Sequence, residues 1–202
     1  MIIDLNQFSS SQVYQTMTQA IIPRPIAWVL SDHGNGKLNL APFSYFNAVC
    51  SNPPILSISI GYKKGGAKKD TWINIEERSH FVVHIPRIED LDPLLQSAQA
   101  LDHGVSEVER LNLKMVPFKG APLPRLESAL VAFYCEKDRV IPVGEGPQGL
   151  VLGRIHLVYL NDEVASIDGD SPVPSVSAKA INPLARLGAN EFASIDELTI
   201  DD

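Results

Sequence analysis

Apolar positions recur along the chain at two spacings, one helical and one alternating. In SSSQVYQTMTQAI (9–21), Val13, Met17 and Ala20 stand at helical intervals behind a serine-rich start, which predicts a short helix ended by Pro23. The texture then changes. PIAWVLS and KLNLAPFS are joined by DHGNG, the signal of a β-hairpin, and PILSISIG follows as a third strand with Pro53 and Pro54 at its start. DTWINIEER (70–78) predicts a helix capped by Asp70 or Thr71, and HFVVHIP (80–86) returns to strand. Leu91, Leu94, Leu95 and Ala98 share one face of a predicted helix over 88–101, and VSEVERL (105–111) adds another turn or two. Beyond a proline-bearing loop, SALVAFYCEKDRVIPV and QGLVLGRIHLVYLND are β-rich runs on either side of GEGP.

Many short strands with Gly and Pro turns, and few helices between them, point to a mainly β protein with peripheral helices. The expected architecture is an antiparallel sheet closed into a β-barrel, not a βαβ series. No GxGxxG follows a first strand, so a Rossmann nicotinamide site has no support. The length of 202 residues suits one domain with one sizeable core. The tail from about 171 to 202 is too apolar for a mere linker and looks poor in regular structure. Such a segment is expected to pack on a partner subunit or over a site.

Composition narrows the function classes. The chain is 45% apolar and 20% charged, with no apolar run long enough to span a bilayer, so no membrane partner is expected. The start, MIIDLNQFSS, lacks a basic segment ahead of an apolar one and does not read as a secretory signal, which places the protein in the cytoplasm. Cys50 and Cys135 cannot make a disulfide framework and show no CxxC spacing. The five histidines form no HxH or HExxH arrangement, and no metal is expected. A net charge of −7 disfavours nucleic acid as a partner.

Two local features run against that background. GYKKGGAKKDT (61–71) packs four lysines around a Gly-Gly pair just ahead of a predicted helix. Free N–H groups, the positive end of the helix and neighbouring ammonium groups together make an anion seat. There Lys69 supplies a point charge, Thr71 a hydroxyl, and Asp70 the helix cap. The second feature is NLAPFSYFNAVCSNPP (39–54), sixteen residues without a charge but rich in small polar side chains. If Ser44 faces the lysines, it adds a hydroxyl that clamps a phosphomonoester, and the remaining polar groups suit a flat heteroaromatic ring.

The runs IIPRPIAWVLSDHGNGKLNLAPFSYFNAVCSNPPILSISIG, KKDTWINIEE, FVVHIP, GRIHLVYL and INPLARLGANEF, taken in that order, resemble the flavin reductase-like, FMN-binding family that includes flavoredoxins. The resemblance implies a split β-barrel of antiparallel Greek-key type, usually a homodimer with FMN near the subunit interface. It implies that Arg24 and Trp28 border the flavin, and that the backbone of Ala41, Pro42 and Phe43 runs along the isoalloxazine edge with an N–H for the ring. Ser44 would bind phosphate, and Asn47 would meet the ring or ribityl chain. Cys50 and Ser51 would lie near the pyrimidine end, Cys50 standing where relatives often carry serine. Lys69, Asp70 and Thr71 match a phosphate-binding KDT. His156 and Arg186 match late positions near the flavin.

The function so implied is an FMN-dependent flavin reductase that draws hydride from NADH or NADPH and passes electrons to free flavin or another acceptor. An electron carrier serving a redox-protein partner, and a flavin-binding module without turnover, are the alternatives. Flavin chemistry needs no catalytic acid or base from the protein, and the sequence shows no nucleophile elbow, triad or carboxylate pair.

Overall fold

The computed structural model describes residues 1–63, 65–145, 148–167, 169 and 171–196. Seven strands form its main sheet: β1 (Ala27–Asp32), β2 (Leu38–Phe43), β3 (Phe46–Ser51), β4 (Pro54–Gly61), β5 (His80–His84), β6 (Val131–Pro142) and β7 (Gln148–Leu160). Their order is β2-β1-β5-β6-β7-β4-β3, and every pairing is antiparallel. The two edge strands, β2 and β3, are consecutive in the chain. Only Ser44 and Tyr45 separate them, and three Cα steps span at most about 11 Å. The sheet therefore has to curl until its edges almost meet, which leaves a barrel split along one seam. The Tyr45 carbonyl stitches the bend to β4 by accepting from the Ser59 N–H at 2.8 Å.

Burial explains why β1 is a nearly unbroken apolar run. Ala27 and Val29 enter an inner cluster with Phe43, Ile58, Phe81 and Val151, whereas Trp28 and Leu30 join an outer cluster with Leu40, Leu94 and Leu126. A strand covered on both faces has no polar alternation to show. Helix α1 (Ser10–Ala20) begins with a capping box between Ser9 and Gln12, and helix α2 (Asp70–Arg78) sends Trp72 and Ile75 into the inner cluster. Helix α3 (Leu91–Ser97) and helix α4 (Glu107–Arg110) lie beside β2, with Leu94 and Val108 entering the outer cluster.

Three sequence expectations change. The predicted helix over 88–101 is a 3-10 turn at Ile88–Asp90 followed by α3, and 105–111 forms helix only over α4. The strand at Phe46–Ser51 was not expected, since five of its six residues are exposed and leave no alternation to read. The cap of α2 is Lys69, not Asp70 or Thr71, and no side chain closes it.

The C-terminal segment returns to the barrel. Arg186 and Arg24 exchange backbone hydrogen bonds at 2.9 and 3.0 Å, and the Leu184 N–H donates to the Pro86 carbonyl at 2.9 Å. A short pairing of Ala185–Arg186 with Phe192–Ala193 follows. Among the described residues no helix is long and apolar enough to cross a membrane.

Candidate functional site

The start of α2 supplies the first element of the site. Lys69, at the cap, holds an extended backbone, and its carbonyl accepts the Trp72 and Ile73 N–H groups at 3.0 and 3.1 Å. The N–H groups of Asp70 and Thr71 precede the first of these bonds and have no partner within the helix. Thr71 is buried, and its Oγ1 accepts from Asn39 Nδ2 at 2.9 Å, which leaves its own proton to donate. Asp70 turns aside: its Oδ1 takes Lys63 Nζ at 3.0 Å and His103 Nδ1 at 2.8 Å.

Lys69 stands apart from its neighbours. Lys63 pairs with Asp70 and Lys68 with Glu76, but among the described residues no carboxylate lies within 4.0 Å of Lys69. Its Nζ sits over the Phe43 ring, 5.4 Å from the centroid, and burial pulls its pKa below the usual lysine value. A half-buried ammonium without a counterion is poised for an anion. Lys64, the other member of the lysine group, lies outside the described residues.

The free edge of β2 runs beside it. The Leu40 N–H donates outward to Glu107 Oε2 at 3.0 Å, and the Leu38 carbonyl accepts from Ser106 Oγ at 2.6 Å. Antiparallel pairing alternates inward and outward residues, so Pro42 also faces out while Ala41 and Phe43 turn toward β1. Proline carries no N–H. The edge over 41–43 thus presents a carbonyl, and the main-chain N–H expected there for a flavin ring is not available.

Three adjoining cavities follow this edge. The largest, 590 Å³, is bordered by Ala41, Pro42, Phe43, Lys69 and Thr71. A second, 260 Å³, shares Pro42, Phe43 and Ala98 with it and reaches Ser44 and Arg186. A third, 300 Å³, continues past Ser44 to Arg24 and Arg186. Ser44 and Lys69 therefore border different cavities and do not form the expected pair; Ser44 Oγ instead accepts Arg24 Nε at 3.4 Å.

The other expected residues lie off this groove. Trp28 is 1% exposed in the outer core, with its indole N–H bonded to Ser97 Oγ at 2.9 Å, so it does not border a cavity. Asn47, Cys50 and Ser51 lie exposed on β3, and Asn47 Oδ1 accepts from the Ala48 N–H at 2.9 Å. His156 lies on the outer face of β7, 3.2 Å from Glu136, with its ring tilted against that of Tyr134 at 5.7 Å between centroids. Glu107, which the sequence reading passed over, borders the largest cavity, and burial raises its pKa. Its one signal was a place after Ser106, which caps α4.

Residues 18–171 match the flavin reductase like domain family. The chain belongs to that family. An uncharacterized Bacillus subtilis protein, YwrF, is 32% identical over 201 residues, covering 97% of this chain and 95% of its own. Among solved structures, nitrilotriacetate monooxygenase component B from Bacillus cereus aligns at a TM-score of 0.90 and 30% identity, over 99% of this chain and 98% of that one. The flavoredoxin of Desulfovibrio vulgaris shares the fold, with a TM-score of 0.75 at 17% identity over 100% and 97% of the two chains. The barrel is thus the split barrel of flavin-related oxidoreductases.

Proposed function

We propose that this protein binds FMN and works as an NADH- or NADPH-dependent reductase, passing electrons to free flavin or another acceptor. The observation that carries the proposal is Lys69, an ammonium without a counterion at a helix start, facing a 590 Å³ cavity. The donor set fits a phosphomonoester: one full positive charge, two helix N–H groups and the Thr71 hydroxyl. A volume of that size falls within the range of nucleotide-sized pockets, and Pro42 and Phe43 give it an apolar side for a ring.

Bound FMN would supply the hydride and electron chemistry. The chain's own part is to hold and orient. Lys69 and Thr71 fix the phosphate, and Asn39 locks the Thr71 hydroxyl in place by donating to its oxygen. Asp70 is kept from the anion because Lys63 and His103 occupy its Oδ1.

A homodimer belongs to the same proposal. Strand β3 leaves one edge of the sheet open, and Val49 on it is 56% exposed. A second subunit laid against β3 would cover the exposed Asn47, Cys50 and Ser51. The likeness to a monooxygenase component and to a 2-nitrobenzoate 2-nitroreductase from Pseudomonas fluorescens, which is 27% identical with a TM-score of 0.87, supports a redox role.

Stopped-flow mixing of the FMN-loaded protein with NADH and with NADPH tests this reading. Bleaching of the flavin absorbance by one of them is expected. No bleaching by either rejects the reductase and leaves a carrier that exchanges electrons with a redox protein.

A further inference from the structure

Arg24 and Arg186 stand together without a counterion. Arg24 is 6% exposed, and its guanidinium donates to the carbonyls of Thr18, Ile21 and Leu187 and, at 3.4 Å, to Ser44 Oγ. Arg186 donates to the carbonyls of Glu191 and Ala189. A guanidinium has five N–H donors, so one remains on Arg24 and three on Arg186. Among the described residues no carboxylate lies within 4.0 Å of either side chain, and the 300 Å³ cavity they border is lined by no acidic residue. Two like charges held at one cavity, one of them deeply buried, repel each other, and the carbonyls that accept from them supply no opposite full charge. Burial and the neighbouring Arg24 charge both pull the Arg186 pKa down, as expected of cations lacking an anion.

We propose that Arg24, Arg186 and Ser44 form a second anion site, which takes a phosphoryl group of the nicotinamide donor's pyrophosphate while Lys69 holds the FMN phosphate. This rests on the reductase reading for the identity of the ligand, but not for the existence of the site. The three N–H groups left on Arg186, the one left on Arg24 and the Ser44 hydroxyl suit the several oxygens of a phosphoryl group. The cavity shares no lining residue with the one Lys69 borders, and the 260 Å³ cavity shares Ser44 and Arg186 with the former and Pro42, Phe43 and Ala98 with the latter. FMN carries one phosphate, so one of the two cationic ends is left for another anion.

Inorganic pyrophosphate is the probe, titrated by calorimetry into the FMN-loaded full chain, so that the Lys69 seat is already filled. Saturable binding of one equivalent is expected, weakened at least about tenfold in Arg186→Gln and restored in part by Arg186→Lys, with acetate failing to compete. FMN affinity should be unchanged in Arg186→Gln. Absence of saturable binding overturns the proposal. So does displacement by acetate at equal concentration, which would make the seat one for carboxylates. A loss of FMN affinity in Arg186→Gln also overturns it, by assigning the arginine pair to the FMN phosphate. Failure of NADH and NADPH to bleach the flavin would reject the reductase and leave the pyrophosphate result standing by itself.

Discussion

The Lys69 ammonium lies 5.4 Å from the centroid of the Phe43 ring, which joins the start of α2 to the end of β2 across the largest cavity. A half-buried cation over a phenylalanine ring contributes little, on the order of 1 kcal/mol, and no ion pair is lost with it. Lys69→Ala should therefore leave the unfolding midpoint almost unchanged. FMN affinity, read by quenching of flavin fluorescence, should fall by about 1 to 3 kcal/mol, the value of a charge-assisted hydrogen bond.

Arg24 has a structural duty besides any ligand. Its side chain gathers the carbonyls of Thr18 and Ile21, at the end of α1, and of Leu187, in the C-terminal segment. Arg24→Met strands these acceptors. A loss of about 2 kcal/mol or more in urea unfolding is expected. Proteolysis within the C-terminal segment should also become faster.

His84 is fully buried between Trp28 and Leu126. Its Nδ1 donates to the Trp28 carbonyl at 3.0 Å, its Nε2 accepts the Leu126 N–H at 3.1 Å, and burial pushes its pKa down to about 4. The unfolded chain binds this proton near pH 6.5, so it holds more protons than the native state between the two values. Stability is fully present above pH 6.5 and falls as the pH drops toward 4, by on the order of 3 kcal/mol in total. Urea midpoints at pH 7.5, 6 and 4.5 read that decline. His84→Gln should flatten it from a lower starting stability.

Gly153 on β7 lies under the Phe81 ring, so closely that an added Cβ would overlap the ring. Phe81 is wholly buried in the inner core and cannot swing aside. Gly153→Ala should cost about 1 to 3 kcal/mol of overpacking strain, measured by thermal or urea unfolding.

Much of the barrel could be read from the chain because its strands are bounded by turn residues and α1 by its Ser9 cap. The hairpin of β1 and β2, the β4 run after Pro53, and the start of α1 at Ser9 all lay where pattern put them. β3 escaped because an open edge facing solvent imposes no apolar alternation. The candidate site was half legible. A glycine loop before a helix announces an anion seat, and Lys69 stands there. Which lysine lacks a carboxylate depends on Asp70 and Glu76 turning toward Lys63 and Lys68, and sequence spacing does not carry that information. Ser44 faced Lys69 only on the assumption that the hairpin continued through it. The chain bends there into the seam, and Ser44 joins Arg24 instead. Likewise, His33, Asp70 and His103 bring ligating atoms within 4.8 Å of one another from distant parts of the chain. Asp70 already shares its charge with Lys63, and His33 Nδ1 meets the Asn74 amide at 3.4 Å.

The central claim is that Lys69 holds a flavin's phosphate. Affinities of FMN and riboflavin, each measured for the wild-type chain and for Lys69→Ala, isolate that one contact, because the two ligands differ only in the phosphate. The account predicts that the wild type prefers FMN and that the preference shrinks about tenfold or more in the variant. An equal preference in both proteins would contradict it.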